Sequence, residues 1–111
     1  MAAVPINLVI EQGTDFYATF TVTNDDGTPL NLSGFTGTCK MKTSHASKAT
    51  PISVDLGYVS RSAGKISISM SAANTTNLKS RRYVYEIILI SPNNVKARVI
   101  EGLVEVTPGV L

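Results

Sequence analysis

Arg82-Tyr83-Val84-Tyr85-Glu86-Ile87-Ile88-Leu89-Ile90 is the stretch on which the reading of the fold turns. It is the longest β-rich run in the chain, and its aromatic and β-branched residues suit a pleated, half-buried surface. Successive side chains on a strand point to opposite faces, so Tyr83, Tyr85, Ile87 and Leu89 share one face. Val84, Ile88 and Ile90 share the other, with Glu86 among them. A strand apolar on nearly both faces belongs in the middle of a sheet. Pro92 stops the run, because proline cannot donate to a β-ladder.

Further strands are expected on either side of this one. Phe16, Ala18, Phe20 and Val22 alternate with Tyr17, Thr19, Thr21 and Thr23, the cleanest period-2 pattern in the chain. Ile6–Ile10 precedes it as a short strand, across the polar turn Glu11-Gln12-Gly13-Thr14-Asp15. Asn24-Asp25-Asp26-Gly27-Thr28-Pro29 is a turn, with Gly27 available for positive φ. Leu30-Asn31-Leu32 resumes an extended segment briefly. Thr36 to Lys42 alternates again, with Gly37, Cys39 and Met41 on the dry side, and Ile52, Val54 and Leu56 start another strand that a bulge extends to Ser60. Lys65 to Met70 alternates strictly, and the chain returns through Val95 to Val106 with a slip in phase near Glu101-Gly102. Only Ser71 to Leu78 reads as helical, a turn or two capped by Ser71. Leu78 and Tyr83 would plug one end of the core.

About seven short strands, turns between them and one helical turn predict an all-β chain, an antiparallel immunoglobulin-like β-sandwich. Its 111 residues suit one domain over residues 1–111, with short flexible N- and C-terminal segments. Hydrophobic residues make up 43% of the chain and charged residues 16%, a globular balance. The net charge of +2 and the absence of stacking motifs argue against nucleic acid as a partner. Lys40, Lys42 and Lys48 read as one solvated face, and Lys79, Arg81 and Arg82 as another. A single cysteine, Cys39, permits neither an internal disulfide nor a cysteine metal cage, and favours folding in a cytosol. No apolar run is long enough to span a membrane, and Met1-Ala2-Ala3-Val4-Pro5 lacks the pattern of a signal peptide.

The residues capable of chemistry are scattered. His45, the only histidine, lies in the polar loop Thr43–Pro51 beside Ser44 and Ser47, where nothing orients an imidazole. Cys39 reads as a small core residue. Asp25-Asp26 lacks the ligand spacing of a calcium loop, so it reads as a turn. Glu86, Glu101 and Glu105 could form an acid/base couple, although salt bridges with Arg82 or Arg98 are the simpler expectation. Tyr17, Tyr58, Tyr83 and Tyr85 could stack on a sugar, but core and corner roles come first. Asn31-Leu32-Ser33 and Asn74-Thr75-Thr76 fit glycan acceptor spacing, a common match in an Asn/Thr-rich chain. The expectation is a non-enzyme with no catalytic, cofactor-binding or metal-ligating residues.

Taken in order, five segments carry a resemblance: Ile10–Phe16 (IEQGTDF), Asn24–Phe35 (NDDGTPLNLSGF), Gly64–Ser71 (GKISISMS), Arg82–Ile87 (RYVYEI) and Val99–Pro108 (VIEGLVEVTP). The series resembles phage virion structural proteins similar to the N-terminal immunoglobulin-like domain of the phage baseplate upper protein. Ser80-Arg81 departs from it, standing where that family commonly has a glycine before the Arg-Tyr pair. The resemblance implies a structural module of the virion, made in the host cytoplasm, with other phage structural proteins as partners and several copies per particle. It implies docking in the tail, baseplate or neck. A capsid decoration protein is the alternative, followed by a carbohydrate-binding adhesin module. Exposed strand edges and the two terminal segments, Met1–Pro5 and Val106–Leu111, are the expected contact surfaces.

Overall fold

The computed structural model describes residues 4–24, 26–44 and 51–109. Eight strands and one short helix follow in chain order: β1 (Val4–Pro5), β2 (Leu8–Glu11), β3 (Phe16–Thr21), β4 (Thr36–Lys42), β5 (Ile52–Ser60), β6 (Lys65–Met70), α1 (Ala72–Thr76), β7 (Arg82–Ile90) and β8 (Lys96–Thr107). They form a curled, mixed sheet in the order β1-β8-β7-β4-β5-β6-β3, with β2 also on β8. The chain is all-β.

β7 is central, as its composition requires. It lies between β4 and β8, and Tyr83, Tyr85, Ile87 and Leu89 are buried while the alternate residues are half-covered. β4 presents Cys39 and Met41 to the same core. The sheet curls at β5, whose first residues, Ile52–Val54, ladder with β4 and whose later residues, Asp55–Ser60, ladder with β6. Phe20, Ile66, Ile68 and Met70 from the far half thereby join Ile87, Leu89 and Val104 in one core. A bulge between Tyr58 and Ser60 lets β5 run to its full length, as the sequence suggests.

Four expectations need correction. The sheet is not wholly antiparallel, because β1 and β2 both run parallel to β8. The expected strand Ile6–Ile10 begins only at Leu8, as β2, with Ile6-Asn7 a break ahead of it, and a further short strand, β1, precedes that break and brings the number to eight. Leu30–Leu32 forms no strand. Only an isolated Thr23–Pro29 bridge precedes it, and the fully buried Leu32 is held by its N–H to the Arg61 carbonyl (2.7 Å). An apolar-polar-apolar triplet on an anchored loop reads like a strand fragment in sequence. The phase slip in β8 falls earlier than expected: Ile87 pairs Ile100 while Ile88 pairs Arg98, so Val99 is the extra residue. Val99 and Ile100 are then both buried, as a bulge permits.

The terminal segments are also less free than expected where they are described. Val4 and Pro5 pair with Ile100 and Glu101, and Val106 and Thr107 lie within β8. Gly109 donates its N–H to Gln12 Oε1 (3.1 Å). At the break between β1 and β2 the chain is tied three ways. Ile6 donates to the Glu101 carbonyl (2.9 Å), the Tyr85 hydroxyl donates to the Ile6 carbonyl (2.6 Å), and Leu103 N–H reaches Asn7 Oδ1 (3.1 Å). The crossing is close enough that any Cβ at Gly102 would collide with the Ile6 carbonyl.

α1 fills the turn between the two halves. Ser71 caps it, accepting from the Asn74 N–H (3.4 Å), and the fully buried Thr75 hydroxyl donates to the Thr14 carbonyl (2.7 Å) and accepts from Gly13 N–H (3.2 Å). Leu78 and Tyr83 are both buried at this end, as expected. The Tyr83 hydroxyl donates to the Lys79 carbonyl four residues upstream (3.0 Å).

Gly102→Ala is expected to destabilise the fold by about 1–3 kcal/mol, because backbone must move to admit the methyl group. Tyr85→Phe should cost about 1–2 kcal/mol by leaving the Ile6 carbonyl without its donor. Denaturant melts measure both costs. Amide exchange near Ile6 should rise in each variant by more than exchange in β6, which follows only the global loss of stability.

Candidate interaction surfaces

The residues with chemical potential are individually engaged. Cys39 is a buried free thiol, and desolvation followed by the nearby Glu86 charge pushes its pKa up to about 12. It is therefore a protonated, inert core group at neutral pH. Asp26 accepts from the Thr28 hydroxyl (2.6 Å) and the Thr28 N–H (3.0 Å). Those bonds hold its carboxyl below the usual range, in a turn where Gly27 takes φ 86°. Asp25 and His45, with Ser47 and Lys48, lie outside the described residues.

The glutamates are partly brought together. Glu86 and Glu101 stand directly opposite on β7 and β8. Arg98 bridges them, with Nε 2.8 Å from Glu86 and Nη1 3.2 Å from Glu101. A guanidinium between two carboxylates compensates both, so the pair is a surface charge cluster of the kind expected from Arg98. Its contribution to stability is small at this exposure. Glu105 stands apart, across from Arg82 in the same ladder.

The tyrosines do not form a platform. Tyr83 and Tyr85 are core residues, and burial raises the Tyr85 phenol far above its ordinary pKa. The Arg61 guanidinium lies 3.7 Å over the Tyr58 ring, while Nη1 of the same arginine donates to the Leu32 and Phe35 carbonyls (3.0 and 2.9 Å). This clasp fixes the 30–35 loop; sequence spacing offers no signal for it. Tyr17 alone is fully presented, 64% exposed on β3. Asn31 turns its side chain onto the Ser33 N–H, and Asn74 sits in the helical turn. Among the described residues no cluster of three or more His, Cys, Asp or Glu could hold a metal ion, and no helix is long and apolar enough to cross a membrane.

What the fold does present is backbone and shape. β3 ends the sheet, with β6 on one side and no described strand on the other. Val22 donates to the Gly64 carbonyl (2.7 Å), one step beyond the Thr21–Lys65 pair. Antiparallel ladders alternate bonded and unbonded pairs. Phe16, Ala18 and Phe20 therefore spend their backbone groups on β6, while Tyr17, Thr19 and Thr21 direct theirs outward. Between this edge and β1 runs a cleft of about 400 Å³. Val4, Ile6, Phe20, Val22, Val99 and Ile100 contribute its apolar wall, and Thr19, Thr21 and Asn24 its rim. A second, more polar depression of about 430 Å³ lies on the β4-β7-β8 surface among Lys40, Lys42, Val84, Glu86 and Arg98.

No protein-family model matches this chain, and no curated protein matches it at a significant level.

Native Cys39 should resist thiol reagents up to about pH 9 and react fully once denaturant exposes it. A folded-state pKa raised above the unfolded value contributes stability that is present below pH ~9. That contribution falls away as pH rises toward about 12. Cys39→Ala should flatten this alkaline slope in pH-dependent melts, whereas removal of an exposed thiol of ordinary pKa would leave the slope unchanged.

Proposed function

We propose that this protein is a non-enzymatic bacteriophage virion component, an immunoglobulin-like β-sandwich module that docks on other virion proteins of the tail, baseplate or neck. The supporting observation is where the resembling segments fall in the fold. Gly13, Gly27, Gly34 and Gly64 come from three of them, and all four have positive φ. At Gly64 a side chain would also strike the Val22 and Leu30 carbonyls. Gly102, from a fourth segment, is required by the close crossing of Ile6. Each of these five glycines within the resembling segments is a position that backbone geometry restricts.

The topology favours the two-sheet reading. β5 is common to two ladders, one comprising β1, β2, β8, β7 and β4, the other β6 and β3. The Tyr83 hydroxyl at the start of β7 bonds back to Lys79, the arrangement of the tyrosine corner of immunoglobulin-like domains. Ser80 and Arg81, the departure from the family pattern, make this corner without positive φ. Ser80 Oγ donates to the Val106 carbonyl (3.1 Å), and Val106 N–H donates to the Arg81 carbonyl (2.9 Å).

Docking would rest on sheet edges and faces; on β7 and β8, Arg98, Glu86 and Glu101 are compensated among themselves. A capsid decoration role would use the same surfaces and differs in where the protein resides. The test is a mass-spectrometric count of this chain in purified particles whose heads and tails have been separated. Low copy number travelling with tails is the expected result. High copy number on heads would replace it with the decoration role, and absence from particles would overturn the virion reading.

A further inference from the structure

We infer that the free edge of β3 is a self-association surface, on which a second copy of this chain adds its own β3 antiparallel across a two-fold axis at Thr19. The argument begins with the edge itself. Six residues, Phe16–Thr21, run without charge, proline or register shift, and the backbone groups of Tyr17, Thr19 and Thr21 face away from β6. Natural sheets usually guard such an edge with lysine, proline, a bulge or a covering segment. The opposite end of the sheet has that protection: β1 is two residues long and contains Pro5. β3 has none among the described residues.

The occupant follows from symmetry and charge. Antiparallel pairing of two identical strands is isologous, so every contact occurs twice. Centred on Thr19, it sets Thr19 against Thr19 of the second copy and Tyr17 against Thr21, with outward backbone groups facing outward backbone groups in both strands. No like charges meet. Asp15, just ahead of β3, accepts from its own Ala72 N–H (2.7 Å) and falls opposite Thr23 of the second copy, one strand away from that copy's Lys65, which lies opposite Thr21 on β6. The exposed Tyr17 ring gains cover from a β-branched partner. A strand-edge contact is small, so the expected association is weak, with a dissociation constant of roughly micromolar to millimolar.

The test uses the full chain and sedimentation equilibrium over a concentration series. The wild-type protein should show a reversible monomer–dimer equilibrium, with amide exchange at Thr19 and Thr21 slowing as concentration rises. Thr19→Lys and Thr19→Asp each place like charges against one another on the axis, so each should be monomeric. An equimolar mixture of the two should recover the dimer. Thr19 is exposed and its backbone takes no part in the β6 ladder, so both variants should keep the wild-type melting profile. Thr19→Pro, which removes only an outward N–H, provides a second disruption that adds no charge. A wild-type chain that remains monomeric at roughly 1 mM would overturn the inference. So would a dimer that survives Thr19→Lys, or a mixture of the charged variants that fails to associate. None of these outcomes bears on the virion reading, which particle composition decides separately.

Discussion

Burying two tyrosines on one face of a single strand obliges both hydroxyls to find acceptors inside the fold, because an unpaired buried hydroxyl costs about 1–3 kcal/mol. Tyr83 and Tyr85 meet this requirement in opposite directions. Tyr83 reaches the Lys79 carbonyl and closes the corner by which the chain enters β7. Tyr85 reaches the Ile6 carbonyl, 79 residues away in sequence, and holds the point where the N-terminal segment crosses from β1 to β2. The ring of each tyrosine belongs to the core and its oxygen to a boundary. One strand thus sets the middle of the sheet and two of its margins.

The parallel strands depend on that arrangement. β1 and β2 together contribute only six residues to β8, too short a pairing to hold register unaided. Gly102 admits the chain, Tyr85 and Asn7 tie it at the break, and Ile10 buries its side chain on the far side. The other margin, β3, is fixed only from within, by the ladder to β6 and by Phe20 in the core. Two ends of one sheet therefore differ in kind. One is interrupted and tied down, and the other is a continuous free edge beside an apolar cleft.

Most strands were legible because burial on one side of a sheet writes a two-residue period into the sequence. Cys39, Met41, Ile66, Ile68, Tyr83 and Leu89 all take the face that alternation assigns them. Three features were not legible, each for a physical reason. Parallel pairing of the first strands leaves no local signature, since strand direction depends on topology and not on alternation. The β8 bulge could be inferred from a break in phase, but two adjacent buried residues, Val99 and Ile100, allow several positions for it. Leu32 carries the alternation of a strand yet sits in a loop, held by Arg61, whose guanidinium also covers Tyr58. On the surfaces, the Glu–Arg pairing near Glu86 was foreseeable from residue types. The free edge required knowing which strand comes last.

Surface chemistry follows from this economy of charge. Charged residues are only 16% of the chain, and Arg98 is committed to Glu86 and Glu101 together. Cys39 and the tyrosine hydroxyls of β7 are sealed in the core or occupied. Beside its exposed charges, such as Lys40, Lys65 and Arg82, this surface offers outward peptide groups, threonine side chains and cleft shape. Backbone pairing supplies affinity without demanding particular side chains, while the alternating residues of the edge set which strand fits. On the proposed virion reading, such an edge would serve assembly, in which identical surfaces meet repeatedly and register matters more than chemistry. The uncharged Tyr17-Ala18-Thr19-Phe20-Thr21 edge is where that logic is most concentrated, because its inward residues face the core and no described strand pairs with its outward peptide groups.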